Sequence, residues 1–244
     1  METMYETLLQ LPLFLGLCVE DFTNIIEKIE LHFANYQQGK ELIHKNDECE
    51  QLCFLIQGEL SVVTTSTDEK FSITEKIKAP YVIEPYSFFG LRTQYRSSYI
   101  SLTEASTICI PKNIIIGQLL NYPIFRLNFL NILSNRTQSV YNLLWINPKE
   151  EIEDIFAQFI LTHSENFQGK KTLNIRIKDL ALYLFRTRIK TSNALNHLQQ
   201  LGLIEMHRRE IIIPDINQLI HWRIKENQHD TTQKATKKSG TYPT

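Results

Sequence analysis

The chain has 244 residues, of which 43% are hydrophobic and 22% charged, and its formal net charge is −1 at pH 7. This length allows two domains with a core each. No apolar run approaches the ~20 residues of a membrane-spanning helix, and the N-terminus lacks the basic start and apolar centre of a secretion signal. We therefore expect a cytoplasmic protein whose four cysteines are reduced thiols.

The first half of the chain is rich in β-type sequence. From about residue 31 to residue 111, short β runs alternate with Gly, Pro and Asp turns. Several strands of this length at this spacing predict a β-sandwich or a jelly-roll barrel. Gly39 and Gly58 fit tight turns between such strands.

Residues 123–145 predict one long helix with two apolar stripes. The stripe that can face the β-roll consists of Phe125, Phe129 and Ile132. The other follows the alternating spacing of a heptad seam and consists of Leu130, Leu133, Thr137, Val140 and Leu144. Two stripes favour a helix that is buried against its own domain and against a partner helix. The helix should end at Asn147-Pro148, because a residue before proline avoids helical geometry.

The stretch from Ile177 to Met206 predicts two short amphipathic helices around a polar, basic break. Gly202 suits the position that ends the second helix. Two β runs follow, and they are joined by His207, Arg208 and Arg209. This order of elements is typical of a winged helix-turn-helix.

Charge is concentrated around these helices. Between residues 170 and 190 we count seven basic side chains and one acid, Asp179, although the whole chain sums to −1. A local excess of positive charge of this kind indicates a nucleic-acid-binding face.

Residues 179–204, DLALYLFRTRIKTSNALNHLQQLGLI, resemble the DNA-binding signature of the Crp/Fnr superfamily of bacterial transcription regulators. The run FLIQGELSV around Gly58 is similar to the cyclic-nucleotide-binding β-roll of that superfamily. The resemblance implies an α+β fold with an N-terminal jelly-roll β-roll, a long dimerisation helix and a C-terminal winged helix-turn-helix. The expected domains are 1–146, including the dimerisation helix at about 123–145, then 147–226, and a disordered tail at 227–244.

The resemblance also implies a function. We expect a homodimeric, sequence-specific DNA-binding regulator, not an enzyme, whose β-roll senses an effector and repositions the recognition helices. Its partners would be double-stranded DNA, a second copy of itself and RNA polymerase.

The positions that read bases in the superfamily, Arg, Glu and Arg, correspond to Arg188, Ile189 and Asn193. Ile189 cannot accept a hydrogen bond from cytosine, and Asn193 prefers adenine, so the site read should differ from the family's operators. Phe185 replaces the usual glycine of the turn, which predicts a turn closed by packing instead of by a left-handed residue. The predicted DNA-binding residues are Arg186, Arg188, Ile189, Lys190, Thr191, Ser192, Asn193, Arg208 and Arg209.

The effector pocket is predicted from a second family pattern. Members that bind a cyclic nucleotide carry Gly-Glu-Leu after a strand and Arg-Ser about ten residues later, and here only Arg-Ser is kept. Pro85 lacks the backbone N–H that a phosphate cradle would use. The predicted pocket consists of Glu84, Gly90, Leu91, Arg96 and Ser97, and cyclic AMP is not its expected ligand. Another small effector, haem or redox input, or no ligand at all stays open.

The cofactor is unknown from the sequence. The scattered cysteines argue against an iron–sulfur cluster, whereas seven His and three Met leave haem open. No catalytic residue and no metal site is predicted, because the β-roll offers only His32 and His44 as histidine ligands. The alternative functions are a cyclic-nucleotide-binding-like module that regulates a protein partner and, less favoured, a jelly-roll metal enzyme.

Overall fold

The structure is a computed structural model that describes residues 9–26, 29, 31–145 and 151–222. The chain divides into two compact units, Met1–Asn147 and Pro148–Thr244. The expected helix end at Asn147-Pro148 and the expected disordered tail at 227–244 lie outside the described residues. None of the helices in the described ranges is both long and apolar enough to cross a membrane.

The first unit is built on two antiparallel sheets, as the β-rich sequence predicts. Their strand orders are β1-β8-β3-β6 and, within this unit, β5-β4-β7-β2. Buried and half-exposed residues alternate along β4 and β5, so one face of that sheet packs into the core. The strands are β1 His32–Tyr36, β2 Glu41–Ile43, β3 Gln51–Gln57, β4 Glu59–Thr65, β5 Phe71–Lys78, β6 Tyr81–Val82, β7 Ser98–Ser101 and β8 Ala105–Pro111.

Helices flank this roll and include the predicted long helix. They are α1 Val19–Ile26, α2 Lys112–Gly117 and α3 Pro123–Trp145, with 3₁₀ turns at Pro85–Ser87 and Leu119–Asn121. The stripe predicted to face the roll does so: Phe125 and Phe129 are buried, and the ring of Phe125 lies 5.4 Å from that of Phe14. Elsewhere α3 leaves large apolar side chains exposed, among them Leu127, Leu130, Val140 and Tyr141.

The expectation of four reduced thiols is wrong for one pair of cysteines. Cys53 on β3 and Cys109 on β8 are disulfide-bonded, 56 residues apart in sequence. The register of the two strands places these residues directly opposite each other, which their sequence spacing does not reveal. Cys18 and Cys49 are free thiols, and burial raises the pKa of the Cys49 thiol.

The second unit is a helix-turn-helix with a wing, as predicted. Its sheet has the order β9-β11-β10, and its core includes Phe156, Leu180, Leu195 and Leu198. The elements are α4 Ile152–Thr162, β9 Lys171–Ile175, α5 Ile177–Tyr183, α6 Arg188–Gln200, β10 Glu205–His207 and β11 Glu210–Ile213. A further helical segment covers residues 216–222.

Helices α5 and α6 end in the same hydrogen-bonded motif. The N–H of Arg186 donates to the carbonyl of Ala181, and the N–H of Leu203 donates to the carbonyl of Leu198. The residue before each donor is left-handed, Phe185 with φ 52° and Gly202 with φ 70°. The predicted role of Gly202 is thus confirmed.

The prediction of a turn closed by the packing of Phe185 is wrong. Its backbone adopts the left-handed conformation that a glycine would take, and its side chain is 87% exposed. The closing hydrogen bonds of the helix end require this conformation of whichever residue follows Leu184.

Two substitutions at these helix ends should have different effects on stability. Gly202→Ala should lower the free energy of unfolding by ~1 kcal/mol, because a side chain disfavours the left-handed region. Phe185→Gly should leave it unchanged or raise it by up to ~1 kcal/mol, since it removes that strain and no buried contact. Urea unfolding of the full chain measures both. A clear loss of stability in Phe185→Gly would show that the ring packs after all.

Candidate functional site

The recognition helix α6 begins at Arg188. Thr187 caps it, and its hydroxyl accepts a hydrogen bond from the N–H of Lys190 at 3.4 Å. The helix packs into the unit through its apolar stripe, in which Ala194, Leu195 and Leu198 are buried. Arg188 and Ile189 therefore occupy the first turn of the helix, which extends out of the core.

The chain is exposed without a break from Phe185 to Lys190. This segment carries three of the predicted DNA-binding cations, Arg186, Arg188 and Lys190. Asn193, one turn further on, is also exposed, and Ser192 is half-buried. The N-terminal end of α6 thus presents polar, cationic and apolar groups to solvent.

Thr191 is a correction to the predicted interface. Its side chain is completely buried, so it cannot contact DNA. It precedes Leu195 and Leu198 by one and two helical turns and so belongs to the buried stripe of α6. Its hydroxyl has no hydrogen-bond partner in the described part of the chain.

A groove of about 420 Å³ brings the two predicted parts of the interface together. Arg188 lines it from α6, and Arg208 and Arg209 line it from the wing. The wing turn consists of these two arginines alone, because His207 and Glu210 on either side of them are paired in register. The structure therefore places cations of α6 and of the wing around one concave surface.

The same groove includes cations that the sequence interpretation did not assign to the site. Arg176 and Lys178, where β9 leads into α5, also line it. The local count of basic residues was the signal that could have identified them. That count also includes Lys171, which is buried, and its ammonium group donates to the carbonyl of Gln168 at 2.8 Å.

A polar contact fixes the middle of α6 against α4. Nδ1 of His197 lies 2.9 Å from the carboxylate of Glu153, which is largely buried. The His197 ring also meets the ring of Trp222 edge-on, with centroids 5.7 Å apart. These contacts lie about two turns along the helix from its exposed N-terminal end, and they help to set its orientation.

In the β-roll, the predicted effector pocket is organised around the carboxylate of Glu84, which is completely buried. Its Oε2 accepts from the N–H of Arg96 and the hydroxyl of Ser87, both at 2.8 Å. Its Oε1 accepts from the N–H of Ser97 at 2.9 Å and from the hydroxyl of Tyr99 at 3.0 Å. Four donors thus converge on one anion, and the protein itself supplies that anion.

The backbone at Glu84 is also shaped for this role. Glu84 has φ 37°, in the left-handed region, and it caps the 3₁₀ turn Pro85–Ser87. A non-glycine residue in this region costs free energy, which the four hydrogen bonds offset. Sequence comparison with the Gly-Glu pattern assigned Glu84 to the pocket but did not reveal that its carboxylate accepts from the N–H groups of Arg96 and Ser97.

Gly90 and Leu91 do not line this pocket. Both are exposed, and Leu91 is completely so. Gly90 has φ 102°, and the chain turns outward there, away from the buried Phe88. The prediction that these two residues belong to the effector pocket is therefore wrong.

Within the described ranges, no three His, Cys, Asp or Glu side chains come together in a way that could hold a metal ion.

Known proteins resemble both units. Residues 33–122 match the model of the cyclic nucleotide-binding domain, and residues 156–222 match that of the Crp-like helix-turn-helix domain. Over 190 residues the chain is 27% identical to electron transport regulator A of Shewanella oneidensis, a match that covers 75% of each protein.

A solved structure shares the fold. The catabolite activator protein of Thermus thermophilus superposes with a TM-score of 0.50 at 16% identity, over 86% of this chain and 98% of that one. DNR of Pseudomonas aeruginosa gives a TM-score of 0.42 at 16% identity, over 88% and 95%. With a cyclic nucleotide-binding domain followed by a Crp-like helix-turn-helix domain, the chain belongs to the Crp/Fnr superfamily of transcription regulators.

Proposed function

We propose that the protein is a homodimeric regulator that binds a specific DNA sequence through α6 and the wing. The observation that carries this proposal is the groove in which Arg188 of α6 meets Arg208 and Arg209 of the wing. Cations from an exposed helix end and from a hairpin turn lie on one surface here. Their charge is complementary to the phosphates that flank the major groove. A DNA partner would also place the protein in the cytoplasm.

The exposed polar and cationic side chains of the interface have two roles in this proposal. Arg188 can make a bidentate pair with guanine, and Asn193 can do the same with adenine. Arg208 and Arg209, together with Arg176 and Lys178, contact phosphates, which sets the register and adds affinity without reading sequence.

The dimer forms along the exposed face of α3. Leu130, Thr137 and Val140 of the predicted seam are exposed there, and Leu127 and Tyr141 extend the same face. Leu133 instead packs partly against the roll, and the side chain of Leu144 lies outside what the structure describes. An apolar face of this length in an otherwise polar stretch suits a second copy of the helix.

Two identical reading units imply an inverted repeat in the DNA, with half-sites about one helical turn apart. As in the superfamily it belongs to, the regulator would act on transcription through RNA polymerase.

The regulator responds to an effector other than a cyclic nucleotide. A cyclic phosphate needs hydrogen-bond donors, and the N–H groups of Arg96 and Ser97 already donate to the Glu84 carboxylate. A phosphate placed beside that buried carboxylate would meet a like charge at short distance, which is strongly unfavourable away from water.

Substitution of cations should separate base reading from phosphate contact. Arg188→Ala should relax base preference at one position of each half-site, a loss of about 1–3 kcal/mol of discrimination. Arg208→Ala should weaken binding to all DNA sequences alike and reduce the dependence of affinity on salt concentration. Selection from random duplexes followed by titration at several salt concentrations measures both effects. Arg92→Ala, which removes an exposed arginine of the β-roll, is the control. Unchanged base preference in Arg188→Ala would reject the assigned role.

Charge on the exposed face of α3 should abolish the dimer. Leu130→Glu together with Val140→Glu would bury unpaired carboxylates between the helices, at a cost of several kcal/mol. The variant should sediment as a monomer and lose affinity for DNA. Asn135→Glu is the matched control, because Asn135 is exposed on the same helix but lies about 140° around it from Leu130. A double variant that sediments as a dimer would show that α3 is not the interface.

Cyclic AMP should produce no saturable heat of binding in calorimetric titration of the wild-type protein. The Glu84 carboxylate already accepts from the N–H groups of Arg96 and Ser97 that a cyclic phosphate would need. Binding that disappears in Arg96→Ala but persists in Arg92→Ala, a nearby exposed arginine, would contradict this prediction. Circular dichroism of both variants controls for folding.

A further inference from the structure

Large apolar side chains are exposed at the N-terminal end of α6 and in the segment just before it. Ile189 is 74% exposed, Phe185 87% and Leu182 67%. Phe185 and Leu182 line a shallow cavity of about 400 Å³ together with Arg186 and Lys190. Clustered apolar side chains that reach into solvent mark an interaction surface.

The surroundings of Ile189 favour one class of partner. It lies between Arg188 and Lys190 in sequence, and all three side chains are exposed. A protein partner with an apolar surface would have to bury these cations, whereas a nucleic acid neutralises them. Ile189 is also the second residue of α6. The N-terminal end of a recognition helix is the part that lies closest to the bases.

The major groove offers an isoleucine one suitable partner. Of the groups that base pairs expose there, the C5-methyl of thymine is apolar, and the others are hydrogen-bond donors and acceptors. We infer that Ile189 reads a thymine methyl in each half-site of the operator; this inference rests on the proposed function. Ile189 is thus a specificity-determining residue beside Arg188.

The same contact discriminates against cytosine. Ile189 has no acceptor for the amino group of cytosine, so a C·G pair at this position would lose water from that amino group without a compensating hydrogen bond. Selection for thymine therefore combines a favourable methyl contact with an unfavourable desolvation.

The test compares thymine with uracil, which lacks only the methyl group. A site is first selected from random duplexes with the wild-type protein. Each thymine of that site is then replaced by deoxyuridine, and affinity is measured by fluorescence anisotropy. At one position per half-site, the replacement should weaken binding about fourfold, the factor that corresponds to the ~0.8 kcal/mol of a buried methylene.

Variants of Ile189 show whether this residue is responsible. Ile189→Ala should bind the thymine and uracil duplexes equally, whereas Ile189→Val should keep most of the difference. Ile189→Glu should change the preference at that position to cytosine, because a carboxylate accepts from its amino group. Leu201→Ala, at the other end of α6, removes a partly exposed aliphatic side chain and should leave the difference unchanged.

The outcomes separate the two proposals. A wild-type protein that selects no sequence contradicts the proposed function and, with it, this inference. A selected site at which uracil binds as well as thymine, or at which Ile189→Ala keeps the difference, overturns the inference alone. If Ile189→Ala weakened binding to the thymine and uracil duplexes by the same factor, the wild-type difference between them would persist. That result would indicate another occupant of the apolar surface and would also overturn the inference.

Discussion

The surface that this protein can present to DNA depends on which residues of helix α6 are buried in the core and which are exposed to solvent. Its stripe from Thr191 to Leu198 must be buried for the second unit to have a core. Because that stripe starts only at the fourth residue of the helix, the first turn extends beyond the core with Arg188 and Ile189 exposed. The contact between His197 and Glu153 then fixes the helix against α4. One packing requirement thus determines both stability and the residues available to DNA.

The sequence predicts those features that follow from local periodicity and composition. The apolar stripes of α5, α6 and α3 predict the helices and their buried sides, and Gly202 predicts a left-handed helix end. The sequence does not predict properties that the tertiary structure imposes on a residue. Phe185 takes the conformation of a glycine because the hydrogen bonds that end α5 require it. Cys53 and Cys109 are joined because the strand register places them opposite each other.

Glu84 illustrates the limit of a motif in a pocket. Compared with the Gly-Glu-Leu pattern, Glu84 lacks the preceding glycine, and Pro85 lacks the backbone N–H that a phosphate cradle would use. In the structure the residue completes a buried network with Ser87, Ser97 and Tyr99. Loss of one donor from a network of this kind leaves a buried charge less satisfied, which is costly. The hydrogen-bonded network around Glu84 therefore stabilises this part of the β-roll.

In the proposed complex, the chemistry of the first turn of α6 would determine how specificity is distributed over the interface. A bidentate pair between Arg188 and guanine would contribute about 1–3 kcal/mol of discrimination, because a mismatched base leaves a buried hydrogen-bonding group unpaired. An apolar contact with Ile189 is worth ~0.8 kcal/mol per methyl-sized group, and it tolerates small changes of position because it is non-directional. In the proposed complex, Arg188 would therefore carry most of the discrimination, and Ile189 would adjust affinity among sites that already satisfy Arg188. The proposed phosphate contacts of Arg208 and Arg209 would hold α6 in the register that both base contacts need.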